Sequence, residues 1–318
     1  MLHVRVVSPE DVTSRLVAAL TAEPGVRNLV VLPGAAHRPD GDAVQFDLLN
    51  ESANAVLRQL RGLQLNTRGS VTVGEADVAL AGRRNATETR RHARREQIPV
   101  WAMVEGTIRA NATYPPSFYV LLVIAGLIAA VGILTNSQIL VIGAMVVGPE
   151  YYAIIAAALG FSKRDRPLVH ESLTALGRGF LAAVIVTYLF ALVIRAAGVA
   201  PQPFLNGVRP VAELINSPNI FSVIVAVLAG VAGVVSLTES RANALIGVFI
   251  SITTLPAAAS IGLSVAFGSW HDALGSLYQL LLNVVILIAV GAAGLSAQRV
   301  LWHRLAGPDE GATGWRWD

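Results

Sequence analysis

The chain has 318 residues, of which 54% are hydrophobic and 14% charged, and its mean hydropathy is +0.58. Such a composition, with the apolar residues gathered in blocks, excludes an ordinary soluble domain. The absence of cysteine excludes disulfide frameworks, thiolate chemistry and Cys-based metal or redox centres, and the net charge of +3 matters less for its size than for its placement.

Residues 1–80 read as a small soluble domain. The opening MLHVRVVSPEDV has no apolar core of the kind a signal peptide needs, so none is expected. Leu2–Val7 has a short strand pattern, and Ser8-Pro9-Glu10-Asp11 marks a helix start with Ser8 as its N-cap. Val12, Leu16, Val17 and Leu20 fall at helical spacing within 9–22. Val26–Leu32 reads as a second strand, PGAAHRPDGD as a turn-rich stretch and Ala43–Leu49 as a third strand. Ser52–Leu63 is a second helix with Ala55, Leu57, Leu60 and Leu63 apolar, and Val71–Val73 and Val78–Leu80 finish the sheet. The order βαββαβ predicts an α+β, ferredoxin-like sandwich, a fold that serves many functions and proves none.

Residues 81–116 form a basic junction. Arg83, Arg84, Arg90, Arg91, Arg94 and Arg95 precede Trp101, a pattern that fits a cytoplasmic stretch near anionic headgroups with the tryptophan at the interface. A solvated charged helix with Trp101 in ordinary packing is the other reading. The run lacks interleaved aromatics, so no nucleic-acid partner is expected.

Hydropathy then predicts six membrane spans, at 117–135, 139–161, 175–200, 219–238, 242–267 and 274–297. The expected inner loops and tail (299–318) carry Lys163, Arg164, Arg166, Arg178, Arg241, Arg299, Arg304 and Arg316, while the outer loops carry Arg195 and Arg209. By the positive-inside rule both termini are cytoplasmic, and the expected location is a bacterial inner membrane. Gly126, Gly132, Gly230 and Gly233 are expected to let helices approach closely.

The second span contains Gly148-Pro149-Glu150 near its centre. Proline lacks an N–H and clashes with the preceding turn, so a break is expected there. A carboxylate at that depth is costly and marks a functional candidate. The other reading of Glu150 is a carboxyl bonded to backbone N–H groups freed at the break, or facing an oligomer interface. A comparable break is expected at Thr253-Thr254-Leu255-Pro256, and interrupted spans in corresponding halves point to a transporter site.

The two halves echo one another. Leu134–Ser137 and Leu237–Ser240 both read Leu-Thr-x-Ser, followed by Ile142-Gly143 and Ile246-Gly247, a proline and an Ala-rich stretch. The proline follows the glycine by six residues in one copy and nine in the other. Three spans per copy would make this an inverted repeat. These same residues carry a resemblance. Gly143-Ala144-Met145 with Pro149, and the stretch from Ile250 to Ala259, are similar to two signatures of the bacterial hydrophobic family named domain of unknown function 389. The resemblance implies the membrane fold, and some members' N-terminal ferredoxin-like domain, but hardly any function. Where many members carry a second proline four residues after the first, this chain has Ala153.

The expected substrate or ion site therefore comprises Glu150, Pro149, Gly148, Gly143, Ser251, Thr253, Thr254 and Pro256. Asn136 and Ser137 at one end, and Glu239, Ser240 and Arg241 at the other, are candidate gates or plain loop residues. Gln279 and Asn283 share one face of the last span, where interhelical hydrogen bonding is expected. No His-Glu-x-x-His zinc spacing or phosphate-binding Gly-Lys-Ser/Thr loop occurs, so no enzyme, metal or cofactor is expected. The leading expectation is an ion-gradient-driven transporter of a small polar or anionic metabolite, nucleotides included, regulated or assembled by its cytoplasmic domain. A gated oligomeric channel and a non-transporting sensor or scaffold stay open beside it. The expected partners are the bilayer, a small substrate or ion, further copies of the chain and a cytosolic ligand for the N-terminal domain.

Overall fold

The computed structural model describes residues 2–75, 101–206, 209–217, 219–238 and 254–305. The chain divides into a unit of residues 1–106 with 302–318 and a unit of residues 107–301.

The first unit contains β1 (Leu2–Ser8), α1 (Glu10–Ala22), β2 (Val26–His37), β3 (Asp40–Leu48), α2 (Asn50–Gly62), α3 (Leu65–Arg68) and β4 (Ser70–Glu75). Alternation along β1 buries Leu2, Val4 and Val6 and exposes His3 and Arg5, as a sheet with one covered face requires. The sheet order is β2-β3-β1-β4 with every neighbour antiparallel, Val4 standing opposite both Phe46 and Val73. Along the chain, strands and main helices follow the predicted βαββαβ order, with the short α3 added before β4. Leu16 and Leu20 of α1 and Val56 and Leu60 of α2 close one core over Val4, Val44 and Phe46.

Two local expectations change. Ser8 ends β1 instead of capping α1. The cap position is Pro9, whose carbonyl accepts from Val12 N, Thr13 N and the Thr13 hydroxyl. Of the stretch read as a turn, residues 33–37 belong to β2, which continues to His37, and 40–42 begin β3. A bulge between Leu32 and Ala36 absorbs Pro33 and Gly34, Gly34 taking a φ of +60° that side chains disfavour. Its N–H donates to the Asp42 carboxylate at 2.8 Å. That bond, with the Thr13 hydroxyl, holds the Asp42 carboxyl below its ordinary range. Val78–Leu80 and the arginine run lie outside the described residues.

After α4 (Trp101–Asn111), the second unit is built from α5 (Pro116–Leu134), α6 (Gln138–Val147), α7 (Glu150–Lys163) and α8 (Arg166–Ala196). There follow α9 (Gln202–Leu205), α10 (Pro210–Asn216), α11 (Ile220–Thr238), α12 (Leu255–Ala266) and α13 (Trp270–Leu305). Trp101, at the start of α4, is half-buried.

Four helices, α5, α8, α11 and α13, are long and apolar enough to cross a bilayer. The pair α6/α7, bent by 56°, passes the same test together as a broken span or a re-entrant loop, which gives four or five spans among the described residues. Six spans were expected. The 12-residue α12 is about 18 Å long, too short to cross alone, and the first part of the span expected at 242–267, up to residue 253, lies outside the described residues.

The packing is that of a membrane protein. Large apolar side chains face outward, among them Ile142, Leu181, Val193, Leu228, Leu281 and Val285. The interior holds small residues. Gly126 lies against Ala183 and Thr187, Gly132 against Val141 and Gly230 against Val290. In lipid, association comes from close packing of small residues, and an apolar exterior costs nothing.

Candidate functional site

The two short helices α7 and α12 are enclosed by the longer ones. Glu150, Ala153 and Ala156 of α7 and Leu255, Ala257 and Ala258 of α12 have no exposed surface. Each short helix has proline at its start. The residue before a proline is pushed out of the helical region, so α6 ends at Val147 and Gly148 turns extended (φ −68°, ψ 127°). The chain resumes a helix at Glu150, directly after Pro149. In α12, Pro256 occupies the first turn, where its missing N–H costs nothing.

These two helix starts meet. The Thr254 hydroxyl, at the entry to α12, donates to Glu150 Oε1 at 3.1 Å across 104 residues of sequence. Gly148 permits the approach, since a Cβ there would run into Leu255 Cδ1 and the Glu150 carboxylate. A carboxylate in the first turn of α7 lies at the positive end of that helix's dipole, and the start of α12 adds a second positive end.

The depth of Glu150 follows from its neighbours. The hairpin α7/α8 packs Gly160 on Val169, so ten residues further on Glu150 comes level with Gly179, which packs on Leu122 of α5. Leu122 is about 9 Å from one end of α5 and about 18 Å from the other. Glu150 is thus inside the apolar layer, as its place in the sequence indicates.

The expected site residues divide on this geometry. Glu150, Thr254, Gly148, Pro149 and Pro256 come together at the junction. Gly143 does not: it is exposed on α6, with nothing within 4 Å of an added Cβ. Helical geometry explains this correction, because five residues before the break places it on the opposite side of a short helix. Ser251, Thr253, Glu239, Ser240 and Arg241 lie outside the described residues. Asn136 takes a left-handed φ of +52° in the α5–α6 turn, and Ser137 caps α6 by accepting from Leu140 N at 3.4 Å. Gln279 and Asn283 are buried, and Gln279 Nε2 donates to Asn283 Oδ1 at 3.2 Å along one helix.

The sequence reading missed one polar junction. Asn216, the last residue of α10, accepts through Oδ1 from the hydroxyls of Ser260 (2.7 Å) and Ser276. The signal for Ser276 was its place three and seven residues before Gln279 and Asn283, a polar stripe on one helix face. Asn216 had no such signal, because the seven-residue helix that ends on it is too short to show a period.

Each end of the bundle is tied by charge. At one end Arg109 donates to Asp165 at 2.8 Å, and Asp165 also caps α8 through Leu168 N. Burial alone would raise the Asp165 carboxyl, but the Arg109 hydrogen bond and charge and the Leu168 N–H hold it below its ordinary value. At the other end Arg195 donates to the Ala266 carbonyl at 2.6 Å, closing the C-terminus of α12. Arg209 stacks over Phe204 at 4.2 Å and reaches Asp272 at 3.8 Å.

Residues 145–289 match the family model described as Domain of unknown function (DUF389), the family whose signatures the sequence resembles. The match contains Glu150, both helix starts and the polar stripe of α13. An uncharacterized protein of Methanocaldococcus jannaschii is 25% identical over 184 residues, covering 56% of this chain and 55% of that protein. The chain thus spans about half the length of the curated relative it matches. No solved structure matches.

Proposed function

We propose that this chain is a secondary transporter driven by an ion gradient, with Glu150 as the ion-binding group. One observation carries the reading: a carboxylate with no exposed surface stands where two buried half-helices begin, bonded by Thr254 from the second. Transporters built from broken helices use such meeting points, because helix ends supply charge complementarity without side-chain cost.

The chemistry couples two ligands. While ionised, Glu150 itself satisfies the two positive helix ends. Neutralising it with one proton or one monovalent cation frees those ends to attract a small polar or anionic substrate. Cation and substrate would then bind together, the requirement for coupled transport. On this reading the segment 242–253 completes a sixth span, and the two three-span halves form an inverted repeat across the membrane. Both termini are cytoplasmic, the chain assembles with further copies, and the βαββαβ domain regulates transport or assembly.

The test begins with a thermal-shift screen of the full-length protein against inorganic anions, carboxylic acids and nucleotides. Uptake of any stabilising compound is then followed in proteoliposomes under imposed pH and Na⁺ gradients. An imposed gradient should drive uptake in the wild type, and Glu150→Gln should abolish that dependence. Gradient-driven uptake untouched by Glu150→Gln removes Glu150 from the mechanism. Unitary currents in planar bilayers replace the carrier with a channel.

A further inference from the structure

We infer that the site extends beyond Glu150 and Thr254 to Asn283 and Gln279, and that a polar half-path for a singly charged cation leads to it from one end. This path runs past Asn216, Ser260 and Ser276. The inference deepens the transporter reading and rests on it for the identity of the cation, but not for the path.

Two independent alignments bring Asn283 level with Glu150. The first uses α7 and α13. A methyl at Gly291 would lie 2.9 Å from Ala158 Cβ, and the hydroxyls of Ser162 and Ser296 bond at 2.8 Å. These helices therefore run parallel at an offset of 133–134 residues, which carries Glu150 to 283–284. The second uses α12 and α13. Ser260 and Ser276 bond the same Asn216 oxygen and so share a depth. From there Thr254 is about 9 Å further along α12 and Asn283 about 10 Å along α13, in the same direction because the two helices form a hairpin.

The stripe between these levels is polar and enclosed. Ser276 and Asn283 have no exposed surface, Ser260 has 1% and Gln279 has 3%. Gln279 spends its amide N–H on Asn283, while its Oε1 is buried with no protein partner among the described residues. An amide oxygen left so inside a membrane bears its full desolvation penalty unless a polar species reaches it. Glutamate, threonine and two amides together form an oxygen-donor set, which suits hard cations. The single negative charge of Glu150 balances one positive charge, not two.

Beyond Asn283 the character changes. Leu287 and Ile288 on α13, and Ile154, Ile155 and the alanines after them on α7, are buried and apolar. The polar path therefore stops at Glu150. Among the described residues it leads towards the end that carries α10, the outer end on the proposed topology.

The natural chain contains no cysteine, so single-cysteine variants report against a silent background. Ser276→Cys, Gln279→Cys and Asn283→Cys are made in the full-length protein, in sealed vesicles. A charged, membrane-impermeant methanethiosulfonate is applied to the side on which Val199→Cys, in the exposed connection, reacts. Leu281→Cys reports the lipid face and Leu287→Cys the apolar stretch beyond. Labelling after SDS unfolding normalises each rate, and thermal stability near wild type is required of every variant.

Thiolates form only where water reaches, so the three stripe positions should react about tenfold faster than Leu281→Cys and Leu287→Cys. Replacing Na⁺ by N-methyl-D-glucamine identifies the cation. If Na⁺ raises the thermal midpoint of the wild type but not of Asn283→Cys, Na⁺ occupies the site; no effect of Na⁺ on the wild type assigns the path to protons. Gln279→Cys and Asn283→Cys as slow as the two controls, with Val199→Cys reactive, overturns the path. That outcome leaves the Glu150→Gln transport test standing, and a failed transport test leaves the labelling pattern standing.

Discussion

Two glycines five residues apart should respond to alanine with opposite signs. At Gly148 the backbone is in an ordinary extended conformation, so alanine meets no conformational barrier and sterics alone decide. Its methyl would strike Leu255 Cδ1 and the Glu150 carboxylate. Leu255 has no exposed surface and no space to yield into. Overpacking of this kind costs about 1–3 kcal/mol. At Gly143 a methyl meets nothing within 4 Å, in the middle of α6. There alanine should stabilise by about 0.5–1 kcal/mol through helix propensity. The two variants should therefore differ by roughly 1.5–4 kcal/mol, about a factor of 10 to 1,000 in the folding equilibrium. SDS titration of detergent-solubilised protein, followed by far-UV circular dichroism, measures the difference. Leu255→Ala supplies the internal control. Alone it should cost about 2–5 kcal/mol, but in the Gly148→Ala background less, because the new methyl fills part of the cavity. If Gly148→Ala is neutral while Gly143→Ala destabilises, the two helix starts do not pack as described, and the site argument falls with them.

Two further predictions concern the ends of the bundle. Asp165→Ala removes the cap of α8 and the partner of Arg109, and should destabilise by about 1–2 kcal/mol. Because the native carboxyl titrates below its ordinary value of 3.8, its contribution is complete above that value and fades as pH falls through it and beyond. The gap between wild type and Asp165→Ala in denaturation midpoints should accordingly close in acid, and a gap constant down to pH 2 would refute the assignment. Arg195→Ala exposes the last carbonyl of α12 and should cost about 0.5–1.5 kcal/mol. Arg195→Lys should recover part of this through charge at a helix C-terminus, and equal losses in both variants would argue against the cap.

The chain's own residues announced the four long apolar helices, the βαββαβ order and the break at Pro149. These follow from local chemistry: unbroken apolar runs, period-two alternation and a residue that cannot donate a backbone hydrogen bond. Glu150 stood out for the same reason, since an acid in an apolar run is conspicuous whatever surrounds it. Only the tertiary structure decided what Glu150 meets. Thr254 lies 104 residues away, and Asn216 reaches Ser260 and Ser276 from the end of the short α10, so neither contact leaves a periodic trace. Gly143 and Gly148 look alike in the sequence, yet one faces outward and the other sits under Leu255. Hydropathy reports how much of a segment avoids water. It cannot report which face of a short helix turns inward or at what depth two breaks align, because both are set by packing between segments distant in sequence.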